Sequence, residues 1–109
     1  MIKEIRVEEI AKKDEFLKTK LLTRAEVKNA IDLVIKQIDA NMEYFKEKFP
    51  SSATKNNQYG IIENIEWTDG FWTGLLWLAY EYTGDEKYRE LADKNVASFK
   101  NRVEKDIEL

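Results

Sequence analysis

The fold is decided by residues 66–85, which read Glu-Trp-Thr-Asp-Gly-Phe-Trp-Thr-Gly-Leu-Leu-Trp-Leu-Ala-Tyr-Glu-Tyr-Thr-Gly-Asp. Residues 71–82 include almost no polar residue, and their apolar side chains cover every side of a helical wheel. A helix that is apolar all round must be enclosed by neighbouring elements, so the sequence predicts a buried helix over 68–83. Gly70 and Gly74 each cost about 1 kcal/mol inside a helix, and we expect close backbone approach to compensate.

Helix signals border this segment on both sides. Thr68 or Asp69 can cap its start, and Gly84 can end it in the left-handed conformation. Asp85 then caps an amphipathic cover helix, predicted over 85–107. The apolar positions of this cover helix form one stripe, which consists of Tyr88, Leu91, Ala92, Val96, Phe99, Val103 and Ile107. The C-terminal half of the chain is therefore predicted to be a helical hairpin.

A long amphipathic helix is predicted over 23–49. Thr23 and Glu26 form a capping-box pattern at its start, and Pro50 marks its end. Its apolar residues recur at spacings of three or four, at Val27, Ile31, Val34, Ile38, Met42, Phe45 and Phe49. We interpret this stripe as core-facing, with a free coiled coil as the alternative.

The remaining segments have weaker patterns. Residues 1–22 are predicted to form an arm with room for a short helix around Val7–Leu17. Residues 50–67 are polar and have no helical period, which indicates a loop, with a weak signal for a short strand at Tyr59–Ile62. This connection is longer than compact domains usually contain without a purpose.

Composition excludes several classes of function. The 109 residues, 43% hydrophobic and 36% charged, suit a single globular domain or part of one. Because the chain has no cysteine and no histidine, disulfides, thiolate nucleophiles, histidine-dependent triads and metal sites of these residues are excluded. A formal net charge of −3 argues against a long nucleic-acid footprint. The N-terminal residues lack a signal-peptide core and no run reaches transmembrane length, so we expect a cytoplasmic protein.

Aromatic residues are concentrated around the predicted loop and the buried helix. Ten of the thirteen lie between Tyr44 and Tyr82, and Trp67 stands at the loop–helix junction, a common position for functional residues. A tryptophan there can stack on a sugar ring, with core packing as the alternative. For Trp72 and Trp77, inside the apolar helix, core packing is the interpretation that we favour.

Two carboxylates flank Trp67. Glu66 and Asp69 are candidates for the paired acids of a glycosidase. Residues beside a helix start also serve as a cap and as a partner of the helix dipole. The residues alone leave both interpretations open.

Residues 66–85 closely resemble a segment of the unsaturated glucuronyl hydrolases, glycoside hydrolase family 88. Further matching positions are Leu21-Leu22-Thr23, Tyr44-Phe45, Phe49-Pro50, Ala53-Thr54, Asn56-Asn57, Asn95-Val96-Ala97-Ser98-Phe99 and Arg102. The resemblance implies an all-α fold, in which residues 1–109 form the N-terminal portion of a single (α/α)6 toroid of six helical hairpins around a central cavity. The helix over 68–83 would be an inner helix of that ring and the helix over 85–107 its outer partner.

The resemblance also implies an activity. Family members remove 4,5-unsaturated glucuronic acid from the non-reducing end of oligosaccharides left by polysaccharide lyases, with hyaluronan or chondroitin as the implied source here. An aspartic acid protonates the C4=C5 bond, water adds at C5, the ring opens and the aglycone leaves. The family implies neither a metal nor an organic cofactor.

No residue of this chain matches a catalytic position of the family. The first catalytic aspartate belongs to an Asp-His-His-Asp motif, which the resemblance places beyond Leu109. Trp67 and, more weakly, Phe71 carry over as substrate-binding residues of the cavity wall. The chain alone is therefore expected to be inactive, and an exposed apolar inner helix is expected to join two copies into a homodimer. An unsaturated rhamnogalacturonyl hydrolase and a non-catalytic helical interaction module remain as alternatives.

Overall fold

The computed structural model describes residues 4–107, which are mostly helical. The elements in chain order are α1 (Lys13–Lys18), α2 (Arg24–Phe45), β1 (Phe49–Lys55), β2 (Gln58–Ile62), α3 (Asp69–Thr83) and α4 (Glu86–Lys105). The all-α prediction is confirmed for the helices, and a two-stranded hairpin is added to it. Within residues 4–107, no helix has both the length and the apolar character needed to cross a membrane.

Helix α2 begins as predicted and ends earlier than predicted. The Glu26 backbone N–H donates to the Thr23 hydroxyl at 3.2 Å, and the Thr23 N–H donates to the Glu26 carboxylate at 2.8 Å, so both bonds of the capping box form. The predicted end at Phe49 is wrong, because the helix stops at Phe45 and Lys46 has a φ of 52°. A residue that precedes proline disfavours helical geometry, so Phe49 lies in the extended strand β1 instead.

The segment predicted as a loop over 50–67 contains most of an antiparallel β-hairpin. Phe49 lies opposite Ile62, and a turn at Asn56-Asn57, both with positive φ, joins the strands. Asparagine tolerates this conformation, which two-residue hairpin turns require. The weak strand signal at Tyr59–Ile62 is confirmed, since it lies within β2. The partner strand β1 was missed.

The predicted helical hairpin is present as α3 and α4. Gly84 ends α3 with a φ of 71°, and the Asp85 carboxylate accepts a hydrogen bond from the Lys87 N–H at 3.0 Å. The core lies where this hairpin meets α2 and β1. It consists of Ile38, Phe49, Trp72, Leu76, Ala79, Tyr88 and Ala92.

One face of α3 is left uncovered. Phe71 and Leu78 are 68% and 61% exposed, although an all-round apolar helix was expected to be enclosed. Val27 and Val34 of α2, predicted to face the core, are also exposed, and an apolar cleft runs between α2 and α3. The radius of gyration is 19.8 Å, against about 13 Å for a compact chain of this length. The exposed residues 4–22 and the open face of α3 both accord with this extended shape.

Three smaller predictions need correction. Trp77 packs against the core only as a partly buried residue, whereas Trp72 is buried within it. A Cβ added to Gly74 would meet nothing within 4 Å, so the close backbone approach expected there is absent from the described residues. The arm is exposed from residue 4 to 22, and its short helix covers Lys13–Lys18, farther along than the expected Val7–Leu17.

Candidate functional site

An exposed aromatic corner stands at the start of α3. The Trp67 side chain is 71% exposed, which rules out core packing for this residue in the described chain. Its ring lies edge-to-face with that of Phe71, at 6.3 Å between centroids and 82° between planes. The two residues carried over as candidate substrate contacts thus form one surface.

The loop that carries Trp67 is tied to the start of α3 by Asp69. This carboxylate is fully buried, and one of its oxygens accepts hydrogen bonds from the N–H groups of Ile65 and Glu66 at 2.9 and 3.0 Å. Burial raises the pKa of Asp69 above its ordinary value, while the two backbone hydrogen bonds and the charge of Arg102 oppose that shift. Of the two predicted caps, Thr68 is the N-cap residue, but its side chain makes no capping hydrogen bond.

A buried arginine on α4 holds the same loop from the other side. The Arg102 side chain is 5% exposed, and its Nη1 donates to the Asn64 side-chain oxygen at 3.1 Å and to the Glu66 backbone oxygen at 2.8 Å. The Asn64 amide donates in turn to the Ser98 hydroxyl at 2.8 Å. We define Asn64, Ser98 and Arg102 as the loop anchor.

The sequence reasoning did not assign a function to the loop anchor. The sequence does contain a signal for it, because Asn95 and Arg102 stand seven residues apart on α4, at the spacing of one helix face. In the structure both side chains are buried. Polar residues at such positions need partners inside the protein. The loop anchor supplies them for Arg102.

Neither carboxylate beside Trp67 is placed as a catalytic acid. The Glu66 side chain accepts a hydrogen bond from the Ser52 backbone N–H at 2.6 Å, which fastens the loop to β1. The buried Asp69 carboxylate accepts hydrogen bonds from the Ile65 and Glu66 N–H groups. The structure thus favours the interpretation of these residues as structural partners over paired glycosidase acids. Across residues 4–107, no group of three or more acidic side chains is placed to hold a metal ion.

No family model matches the chain. It is 52% identical over 109 residues to the unsaturated chondroitin disaccharide hydrolase of Streptococcus pneumoniae, of which it covers 28%. It is 51% identical over 108 residues to the protein of the same name from Streptococcus pyogenes, of which it covers 27%. An unsaturated glucuronyl hydrolase from a Bacillus species is 51% identical over 65 residues, which are 60% of this chain and 17% of that protein.

Solved structures of unsaturated glucuronyl hydrolases are also similar to this chain. The unsaturated glucuronyl hydrolase of Streptococcus agalactiae superposes with a TM-score of 0.91 at 50% identity, over 100% of this chain and 29% of that one. The Bacillus enzyme superposes with a TM-score of 0.66 at 45% identity, over 72% of this chain and 21% of that one. The chain thus spans under a third of the length of the relatives that it matches.

Proposed function

We propose that this chain takes part in the reaction of the unsaturated glucuronyl hydrolases, because it corresponds in sequence and fold to their N-terminal portion. The proposed reaction removes 4,5-unsaturated glucuronic acid from glycosaminoglycan oligosaccharides. The role that we assign to this chain is one wall of the sugar site, formed by Trp67 and Phe71. The observation that carries the proposal is the exposed edge-to-face pair that these two rings form.

The chemistry of the wall suits a pyranose ring. Exposed aromatic side chains present a large apolar surface at low cost in conformational entropy, and the face of a sugar ring is apolar while its edge carries hydroxyls. The loop anchor and Asp69 fix the backbone beside Trp67, so the segment that carries the indole is ordered before a ligand arrives. Pre-organisation of this kind reduces the entropy lost on binding.

The proposed role is binding without turnover by this chain alone. Protonation of C4 needs a carboxylic acid within hydrogen-bond reach of the reacting carbon. Glu66 and Asp69, the acids beside Trp67, are engaged with backbone N–H groups. We therefore expect the catalytic acid to come from a segment equivalent to the part of the relatives beyond this chain.

Two measurements with the purified chain test this proposal. Incubation with an unsaturated chondroitin disaccharide should leave the absorbance of its C4=C5 bond unchanged, whereas turnover would contradict the assigned role. Titration with the same disaccharide should shift the NMR signal of the Trp67 indole N–H. Phe71→Ala should weaken that binding, while the control Leu33→Ala, which removes an apolar side chain of almost equal exposure from α2, should leave it unchanged. An unsaturated rhamnogalacturonan disaccharide that bound more tightly would favour the alternative enzyme.

A second role is supported by the uncovered face of α3. Leu75, Leu78 and Tyr82 are exposed beside the apolar cleft against α2, and contiguous apolar surface of this kind is typical of interfaces. We propose that two copies associate through this face as a symmetric dimer. Light scattering should give twice the chain mass, and Leu78→Glu should restore the monomer; a monomeric parent chain at high concentration would contradict the proposal.

The cytoplasmic location expected from the sequence belongs to the same proposal. Detection of the chain in the cytoplasmic fraction of lysed cells is the expected result. Detection in the culture medium would contradict it.

A further inference from the structure

A recess that Phe71 lines, and Trp67 does not, lies beside the candidate site. We call it the hairpin pocket; it has a volume of about 310 Å³ and lies between the end of α2, the β-hairpin and the start of α3. This volume falls at the lower end of the range for small-molecule sites, about 300–1,000 Å³. The lining residues that matter here are Asn41, Ser52, Tyr59, Thr68, Phe71 and Trp72.

The walls of the hairpin pocket resemble those of a sugar site. Tyr59 and Phe71 contribute aromatic side chains that are both at least half exposed. Asn41, Ser52 and Thr68 add an amide and two hydroxyls, the groups that hydrogen-bond to sugar hydroxyls. A recess with apolar walls and a few polar groups is the usual form of a ligand site.

Two buried polar atoms of the pocket wall have no partner. The Trp72 Nε1 and the Thr68 Oγ1 make no hydrogen bond in the described chain, and the Trp72 side chain is 3% exposed. An unpaired buried donor costs free energy that a hydrogen bond to a ligand would recover. Neither atom touches solvent, so contact with a sugar hydroxyl requires a small opening of the wall.

The charge of the pocket limits the ligand. No lysine, arginine, aspartate or glutamate is among the described residues that line it. A carboxylate or sulfate placed there would lose its hydration without gaining a cation, which is costly. The occupant suited to this pocket is therefore an uncharged sugar residue.

Phe71 connects the pocket to the candidate site, because it lines the pocket and also contacts Trp67. We propose that the hairpin pocket binds the uncharged amino-sugar residue of a chondroitin disaccharide while the unsaturated uronic acid lies against Trp67. This inference rests on the proposed function for the orientation of the disaccharide. The pocket itself is argued from its own residues.

The indole N–H signals of the 109-residue chain provide a separate reporter for each site. The signals are assigned by single Trp→Phe substitutions, and the probes are the unsulfated unsaturated chondroitin disaccharide and methyl N-acetylgalactosaminide. The disaccharide should shift the Trp67 and Trp72 signals with one dissociation constant, and the monosaccharide should shift Trp72 alone. If neither probe moves the Trp72 signal, the pocket proposal is overturned whatever happens at Trp67. If the monosaccharide moves Trp72 and the disaccharide leaves Trp67 unmoved, the pocket stands and the proposed function fails.

A matched pair of variants adds a second test. Tyr59→Ala removes one aromatic wall of the pocket and should weaken disaccharide binding about 2- to 10-fold, as expected for one aromatic contact. Tyr44→Ala removes a tyrosine of almost equal exposure that does not line the pocket, and it should leave the affinity unchanged. Equal affinities for the two variants would overturn the assignment.

Discussion

Replacement of Arg102 by methionine should destabilise the chain by about 3–6 kcal/mol. The guanidinium donates one hydrogen bond to Asn64 and one to the Glu66 carbonyl, and a bond to a charged group contributes about 1.5–3 kcal/mol. Methionine keeps the apolar stem in place, so the loss comes chiefly from these two acceptors, with a smaller part from the Ile107 carbonyl, which accepts a longer bond of 3.3 Å from Nε. Since whole domains are stable by only about 5–15 kcal/mol, the effect should be large in any unfolding experiment.

Urea unfolding followed by circular dichroism measures this loss, with Arg89→Met as the control. Arg89 lies on the same helix, but its side chain is half exposed and its ion pair is with Glu86, three residues away. Exposed pairs of this kind contribute about 0–1 kcal/mol, so the control midpoint should stay close to that of the parent. Arg102→Lys should fall between the two, because one ammonium group can replace Nη1 as a charged donor but cannot also supply the bond from Nε to the Ile107 carbonyl.

The site should respond together with the global stability. In Arg102→Lys, which retains the charge, the backbone N–H groups of Ile65 and Glu66 should exchange with solvent faster, because the loop beside them is held less firmly. Equal midpoints for Arg102→Met and Arg89→Met, with unchanged exchange at these two groups, would refute the loop anchor as the element that fixes Trp67.

Three further predictions follow from single residues. Burial raises the pKa of Asp69 above its ordinary value of 3.8, so between these two pKa values the native chain retains a proton that the unfolded chain has released. The free energy of unfolding, relative to that of Asp69→Asn, should therefore fall as the pH rises from about 4 through the raised pKa. A difference that does not depend on pH would contradict this. Gly84→Ala should destabilise the chain by about 1–2 kcal/mol, since φ is 71° there. Gly74→Ala should stabilise α3 by about 0.5–1 kcal/mol, because the added Cβ meets open space. Equal urea midpoints for the two variants would contradict both predictions. Trp72→Ala should cost about 3–5 kcal/mol and Trp67→Ala less than about 1 kcal/mol, and thermal melting in the reverse order would identify Trp67 as the core residue.

Local signals in the sequence predicted the start of α2, the end of α3 and the start of α4 correctly. The capping box at Thr23, the left-handed Gly84 and the Asp85 cap each involve groups within four residues of one another, so a short window of sequence contains all that is needed. The resemblance supplied the larger arrangement, since the all-α toroid type does not follow from caps and periodicity. The solved structures of the relatives bear that expectation out.

The hairpin was missed because its stability comes from distant residues. Strand β1 contains a proline and two serines, which give little strand signal. Phe49, the first residue of β1, is 2% exposed and packs edge-to-face on Phe99 of α4, at 6.2 Å between ring centroids. A contact between residues fifty positions apart produces no local sequence pattern. The spacing of Phe49 from Phe45 alone therefore favours a continuation of α2.

The three tryptophans show a different limit. Because the apolar residues of α3 cover the whole helical wheel, no periodicity distinguishes a covered side from an open one. The packing of α2, α4 and β1 around α3 decides that Trp72 is buried and Trp77 partly buried. The exposure of Trp67 depends likewise on the loop anchor, whose hydrogen bonds join residues 34 to 38 positions apart.

This separation along the chain sets the order in which the aromatic corner can mature during synthesis. Ribosomes deliver the N-terminal part of a chain first, so Trp67 and Phe71 emerge well before Arg102, which follows Glu66 by 36 residues. A nascent chain stopped between these points already carries every aromatic ring of the corner. It lacks the guanidinium that holds the loop, so the corner takes its final geometry only when the last turns of α4 have been made.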